Sequence, residues 1–288
     1  MRTVTLADGT RVPAIGQGTW GLGEDPGTAD SEVGALVAGA LAGATLIDTA
    51  EMYGDGASER LVGRALPRVA AEGVSREGLF LVSKVYPWNA GRDRIFQSCE
   101  ASLERLGTPY LDLYLLHWPG EVPLAETVAC MGELMRRGLI RRWGVSNFDA
   151  AGMRELASVP GGASCATDQV LYHLGSRGIE LELLPWMRRA GMPAMAYCPL
   201  AQHGRLRFGL FGDPVLARVA RAHGATPAQV LLAWDTRAGD VIAIPKASSA
   251  AHARENAAAS AIELSEDELE SLNRAFPAPD TPGPLDMV

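Results

Sequence analysis

Short apolar runs recur along the chain, and stretches of helical periodicity lie between them. The runs are Ala14–Gly18, Thr45–Asp48, Leu79–Lys84, Leu111–His117, Ile140–Asn147, Ala166–Val170, Pro193–Pro199 and Asp240–Lys246. They are nearly continuous in apolar residues, as parallel strands covered on both faces should be. Between them, Ile95, Cys99, Leu103 and Leu106 define one helix face at spacings of three and four. Leu124, Val128, Met131 and Met135 define another. Ser265, with Glu268 three residues on, is a capping box that opens a last helix up to Phe276. Ahead of the first run, VTLADGTRVP sets Asp8-Gly9 between two short alternating segments, which is a hairpin signal.

Eight strand–helix alternations predict an α/β chain folded as a (β/α)8 TIM barrel with an N-terminal β-hairpin. Residues 1–288 read as one domain, with no linker or low-complexity segment. The competing architecture is a doubly wound sheet. It needs a G-x-G-x-x-G turn that opens a helix after the first strand. The chain has GQGTWGLG at Gly16–Gly23, but EDPGT follows and opens no helix. The tail Pro277–Val288 is Pro-rich and is expected to wrap the surface or overhang a barrel mouth.

Composition narrows the function classes. The chain has 288 residues, 47% hydrophobic and 21% charged, as an ordinary soluble globular protein does. A net charge of −8 leaves no basic footprint for nucleic acid or an anionic membrane. No apolar run reaches the ~18 residues of a bilayer span. The start, MRTVTLADGTRVP, does not read as a secretory signal. Cys99, Cys130, Cys165 and Cys198 are spaced for neither a metal nor a small disulfide scaffold. Reduced cysteines in a cytoplasmic protein are expected, and no metal site. Of 26 basic residues only Lys84 and Lys246 are lysine. Coding bias explains the ratio but not their positions, since both end apolar runs (LFLVSK and DVIAIPK). Lysine is a compact charge whose pKa moves readily, whereas arginine is a fork that stays charged.

In a barrel, function collects at the carboxyl ends of the strands. The predicted ends carry Asp48 with Tyr53 close behind, Lys84, His117, Ser146-Asn147, Asp168-Gln169, Tyr197 and Lys246. Taken singly, an Asp there is a helix cap, a His a satisfied core group and a Tyr packing. Their convergence on one rim points to chemistry. Asp48, Lys84, Tyr53 and His117 lack a serine or cysteine nucleophile and suit a metal poorly. They suit proton transfer. An ammonium next to tyrosine is expected to lower its pKa of ~10. A carboxylate keeps that ammonium charged, and a neutral imidazole can orient a carbonyl oxygen. Such a set protonates a forming alkoxide. It holds no electron source, so a cofactor should supply the hydride. Trp20, Trp88 and Trp118, just past strand ends, are expected to wall a mostly apolar substrate pocket.

At these residues the chain resembles the aldo-keto reductase family. GATLIDTAEMYGDGASERLVG (Gly43–Gly63) resembles the first family signature, and LFLVSK and LDLYLLHWP the lysine and histidine strands. RRWGVSNF (Arg141–Phe148) resembles the second signature, and IPKASSAAHARENAA (Ile244–Ala258) the cofactor segment. GTWGLGEDP, VSKVYPWNA and LLHWPG look most like a bacterial short-looped branch acting on small aldehydes and ketones. The resemblance implies a monomeric NADPH-dependent carbonyl reductase. Tyr53 would be the general acid, Lys84 would lower its pKa, Asp48 would pair with Lys84, and His117 would orient the substrate. Ser146, Asn147 and Gln169 would hold the nicotinamide carboxamide, with the ring on Tyr197 and with Pro199 and Leu200 beside it. Gly18, Thr19 and Trp20 would border the nicotinamide end. Lys246 and Ser248 would meet the 2′-phosphate; Arg254, Glu255 and Asn256 would lie at the adenosine end.

Three positions depart from the family pattern: Ala247 after the motif lysine, His252 where Arg is common, and Trp143 at a usually aliphatic site. The first two bear on NADPH preference over NADH. Two other readings stay open at this stage. One is a cofactor-binding regulatory subunit of the same fold. The other is an isomerase or lyase barrel with Lys84 as a Schiff-base lysine.

Overall fold

The computed structural model describes residues 1–201 and 205–287; Val288, the end of the Pro-rich tail, lies outside the described residues. Strands β1 (Thr3–Thr5) and β2 (Arg11–Pro13) pair antiparallel as the expected hairpin. Then come β3 (Gln17–Gly18), β4 (Leu46–Asp48), β5 (Phe80–Val85), β6 (Leu113–Leu116), β7 (Trp143–Ser146), β8 (Asp168–Leu171), β9 (Ala194–Tyr197) and β10 (Val241–Ala243). These eight are parallel and lie side by side in chain order. Parallel bridges Ile15–Ala243 and Gly18–Lys246 join the last strand to the first and close the barrel. The Gly18 N–H donates to Pro245 O at 3.0 Å across this seam. Only glycine fits there, because a Cβ on Gly18 would stand 2.6 Å from Ile244 O.

The helices are α1 (Ala29–Leu41), α2 (Ala57–Ala71), α3 (Ile95–Leu106), α4 (Leu124–Arg136), α5 (Ala150–Ser158), α6 (Leu183–Arg189), α7 (Arg205–Phe211), α8 (Pro214–Ala222), α9 (Pro227–Asp235), α10 (Ala250–Ala258) and α11 (Glu266–Ala275). The capping box of Ser265 and Glu268 starts α11 as expected. One helix face differs from its reading. In α4, Met135 is exposed and Leu134 is buried. Thr127, Val128, Cys130 and Met131 are also buried, so the inward stripe runs through them to Leu134 and stops short of Met135.

The two-residue period of the strands explains how the site is positioned. Leu46, Phe80, Val82, Leu113, Leu115, Met195, Ile242 and Ile244 form one cluster inside the barrel. Ile47, Leu81, Val85, Tyr114, Leu116, Ala194, Ala196 and Val241, on the opposite strand faces, pack into the helix layer. One step up each inward column stands a polar residue. Asp48 follows Leu46, Lys84 follows Val82, His117 follows Leu115, Tyr197 follows Met195, and Lys246 follows Ile244. The hairpin residues Val4, Leu6, Val12 and Ala14 join the same inner cluster and plug the amino-terminal end of the barrel. Arg142 pins the hairpin by an ion pair to Asp8 at 2.6 Å. At the other end the Pro-rich tail docks beside β8: the Ser176 hydroxyl donates to the Asp286 carboxylate. Trp143 lies in the outer layer, and its indole N–H donates to Ser164 Oγ at 3.2 Å.

Candidate active site

Lys84 organises the carboxyl end. Its ammonium donates to Asp48 Oδ2 at 2.7 Å, Thr49 O at 2.9 Å and the Tyr53 hydroxyl at 2.9 Å. All three N–H groups are used, and the side chain is 0% exposed. Asp48 Oδ1 accepts from Gln169 Nε2 at 2.7 Å. Burial pulls both members of the pair toward neutrality, lowering Lys84 and raising Asp48; their mutual attraction opposes both shifts.

Tyr53 differs from its expectation in one respect. The ammonium is in contact, but the phenol pKa is raised well above its ordinary value. Burial is the main cause, and the negative charge of Asp48 adds to it. Asp48 cancels the field of Lys84 almost at the point of contact, so the pair presents little net charge to the phenol. What Lys84 offers the phenol is therefore a hydrogen bond, one that would strengthen on a phenolate. His117 stands edge-on to Tyr53, with ring centroids 5.8 Å apart. Burial, helped by the Lys84 charge, pushes its pKa down to about 2, so the imidazole is neutral. Its Nδ1 is buried without a partner among the described residues, which leaves Nε2 to meet a ligand.

A cavity of about 350 Å³ connects these groups to the barrel seam. It is lined by Gly18, Thr19, Trp20, Asp48, Tyr53, His117, Trp118, Ser146, Asn147, Gln169, Tyr197, Pro199, Leu200 and Lys246, all named from sequence. Met52, Cys198, Ala201, Arg207, Ile244 and Pro245 also line it and were not assigned to the site from sequence. Met52, Cys198, Ala201 and Pro245 were detectable as chain neighbours of named residues. Arg207 lies in α7, with no such signal. Non-glycine residues in the left-handed region gather here: Asn147 (φ 61°), Cys198 (φ 50°) and Ala201 (φ 55°). Such backbone costs about 1–3 kcal/mol each and collects at functional sites. Asn147 is held by three side-chain bonds: from the Tyr197 hydroxyl at 2.9 Å, and to His117 O and Ser146 Oγ at 3.2 and 3.1 Å.

Other candidates lie elsewhere. Trp88 stacks on Tyr86 at 4.3 Å and lines a separate, open groove of about 650 Å³ on the far side of Trp118. Ser248 just precedes α10, and Arg254, Glu255 and Asn256 lie within it, all outside the cavity lining. Glu255 accepts from the Thr226 hydroxyl and so ties α10 to the start of α9. Asp168 faces away from the cavity, because strand alternation turns Gln169 inward. Burial holds its carboxyl pKa well above the ordinary range, and its Oδ2 lacks a partner among the described residues.

The residues fit a nicotinamide dinucleotide. Tyr197 offers a ring face, polar side chains from β7 and β8 surround it, and the Lys246 ammonium, with no carboxylate partner among the described residues, lies toward the seam. A barrel with this buried proton-transfer set beside a dinucleotide cleft defines a carbonyl reductase of the TIM-barrel class. The chain belongs to the aldo/keto reductase family, whose model matches residues 14–276. It is 55% identical to methylglyoxal reductase YeaE of Escherichia coli K12, covering 100% of this chain and 99% of that protein. It is 35% identical to the glyoxal reductase of Bacillus subtilis 168, covering 96% of each. Among solved structures, an aldo-keto reductase from Klebsiella pneumoniae in complex with NADPH shares 51% identity, with a TM-score of 0.95 and full coverage of both chains. The chain is an NADPH-dependent oxidoreductase that reduces carbonyl groups of small molecules.

Proposed function

We propose that this chain reduces small reactive dicarbonyls of the methylglyoxal type. The support is its likeness, over full length, to a relative of that name. The short segments after β5 and β6 leave the indoles of Trp20 and Trp118 as cavity walls, which suits a compact, partly apolar substrate. Bound NADPH supplies the hydride to the carbonyl carbon. The chain supplies the rest. His117 Nε2–H donates to the carbonyl oxygen and orients it. Tyr53 gives its hydroxyl proton to that oxygen as the alkoxide forms. The Lys84 ammonium stabilises the phenolate left behind, and Asp48 holds the ammonium in place. The outcome is an alcohol, with one hydride and one proton added. The protein is proposed to work as a cytoplasmic monomer, with residues 1–288 as one catalytic unit. Among the described residues no helix is long and apolar enough to cross a membrane.

The observation that carries the residue roles is the contact of Lys84 with both Asp48 and Tyr53. Tyr53→Phe removes the proton and leaves the cavity shape. It should lower kcat by about 10²–10⁴, with NADPH affinity changed less than about twofold, since the Tyr53 hydroxyl bonds only to Lys84 among the described residues. Full activity in that variant would overturn the assignment. NADPH oxidation by the wild type with methylglyoxal, set beside larger ketones, tests the substrate. Turnover of the larger ketones without methylglyoxal would refute the dicarbonyl reading alone.

A further inference from the structure

We propose that Glu51 is a positioning residue for substrate selection, acting from outside the cavity through a cluster of three rings that ends at the cavity wall. The proposal rests on carbonyl substrates binding in the cavity described above, against Trp118. Glu51 sits between the end of β4 and Tyr53, in a segment that runs on alongside β5. There the Thr49 N–H donates to Val82 O at 2.9 Å and the Glu51 N–H to Lys84 O at 3.4 Å. The Glu51 carboxylate reaches further along the same edge. Its Oε1 accepts from the Tyr86 N–H at 2.7 Å and from Asn89 Nδ2 at 3.2 Å. A carboxylate that accepts from a backbone N–H makes one of the stronger hydrogen bonds. The two contacts hold the short helical turn Pro87–Asn89 at both of its ends.

That turn carries the rings. Tyr86 and Trp88 stack with centroids 4.3 Å apart. Both meet Trp118 edge-on, at 5.9 and 5.7 Å. Trp118 in turn lies 4.9 Å from the His117 ring. Of the three, only Trp118 lines the cavity; Trp88 is 56% exposed and lines the groove behind it. Trp88, expected from sequence to wall the pocket, instead supports the ring that does. An indole so exposed is not fixed by burial. It is fixed by its backbone, and Glu51 holds the backbone from which Tyr86 and Trp88 both project. Trp118 stands beside His117, the group proposed to orient the carbonyl, so the wall meets the substituent on the carbonyl carbon. A fixed indole favours a flat, apolar substituent, because ring contacts depend on geometry. A methyl group gains little from it.

The test sets phenylglyoxal, whose ring would reach the wall, beside methylglyoxal. Glu51→Ala should raise KM for phenylglyoxal roughly threefold to tenfold, as for a lost aromatic contact, and KM for methylglyoxal by less than about twofold. With either substrate kcat should stay that of the wild type, and so should KM for NADPH. Glu51→Gln keeps an acceptor in the same place and should restore KM. Trp88→Ala removes one ring from the exposed side and should give the same KM pattern, which keeps the test decisive if Glu51→Ala fails to fold. The double variant should lose no more than the larger single one, because both act through one cluster. Additive losses, an unchanged KM, or a KM raised equally for both substrates would overturn the proposal. So would a fall in kcat at constant KM, which would move the effect of Glu51 to Lys84, through the backbone bond they share. A wild type that rejects both dicarbonyls would sink the substrate reading alone; benzaldehyde beside propanal then makes the same comparison.

Discussion

In the proposed mechanism Tyr53 parts with a proton that burial holds tightly. Carbonyl reduction needs the phenol protonated and His117 neutral. Burial raises the first pKa, and it lowers the second to about 2. Both conditions therefore hold across roughly pH 5–9, where unperturbed groups would titrate. We expect kcat/KM for reduction to show no inflection near the ordinary histidine pKa; a step there would mean that His117 is solvated. Asp168 gives a second test. Its folded pKa is raised above the unfolded value, so unfolding releases a proton and stability falls as pH rises above ~4. Asp168→Asn keeps the shape and removes the titration. It should raise Tm by roughly 2–4 °C at pH 8 and by little near pH 4. An equal gain at both would show that ionisation is not the cause. Asp48, Lys84 and His117 were legible from sequence because each caps an inward column of apolar residues. The direction of the Tyr53 shift was not, since it depends chiefly on how deeply the phenol is buried. Arg207 was not legible either, because no periodicity marks a side chain that enters the cavity from the segment between β9 and α8.

Among the elements, the strands were the most legible. Each predicted run overlaps an observed strand; β5 and β8 end one residue past their runs, and most other ladders are shorter, the last run, Asp240–Lys246, keeping only Val241–Ala243 as β10. The missing ends are the useful part. Lys246 leaves regular pairing after a single bridge to Gly18, which frees its side chain for the cavity. Helix faces were less certain where two apolar residues adjoin, as Leu134 and Met135 do, because periodicity alone cannot choose between neighbours. The seam yields a sharp expectation. Gly18→Ala sets a methyl against the Ile244 carbonyl, and no rotamer relieves a backbone clash. It should cost about 1–3 kcal/mol in denaturant unfolding and loosen NADPH binding with it, since Gly18 and Lys246 share that seam. A fully stable variant would mean that the closure is softer than its geometry implies.

Across the whole molecule, the hairpin plug at one end leaves the opposite end as the way to Tyr53. Cofactor and substrate therefore share one cavity, and any reactive carbonyl admitted there also meets the protein itself. Aldehydes condense with free amines, and this chain has few: its amino terminus and two lysines. Lys84 has every N–H engaged and no surface in water, so it is chemically sheltered by the same contacts that make it useful. Lys246 is exposed. Treatment of the folded protein with excess small aldehyde and cyanoborohydride should label Lys246 and the amino terminus in peptide maps. Lys84 should remain unlabelled, and saturating NADPH should slow labelling at Lys246. Label on Lys84 would show that the buried pair opens. Under sustained carbonyl stress, the lysine proposed to hold the cofactor is therefore the one open to modification, and the Lys84–Tyr53 pair is the one sheltered from it.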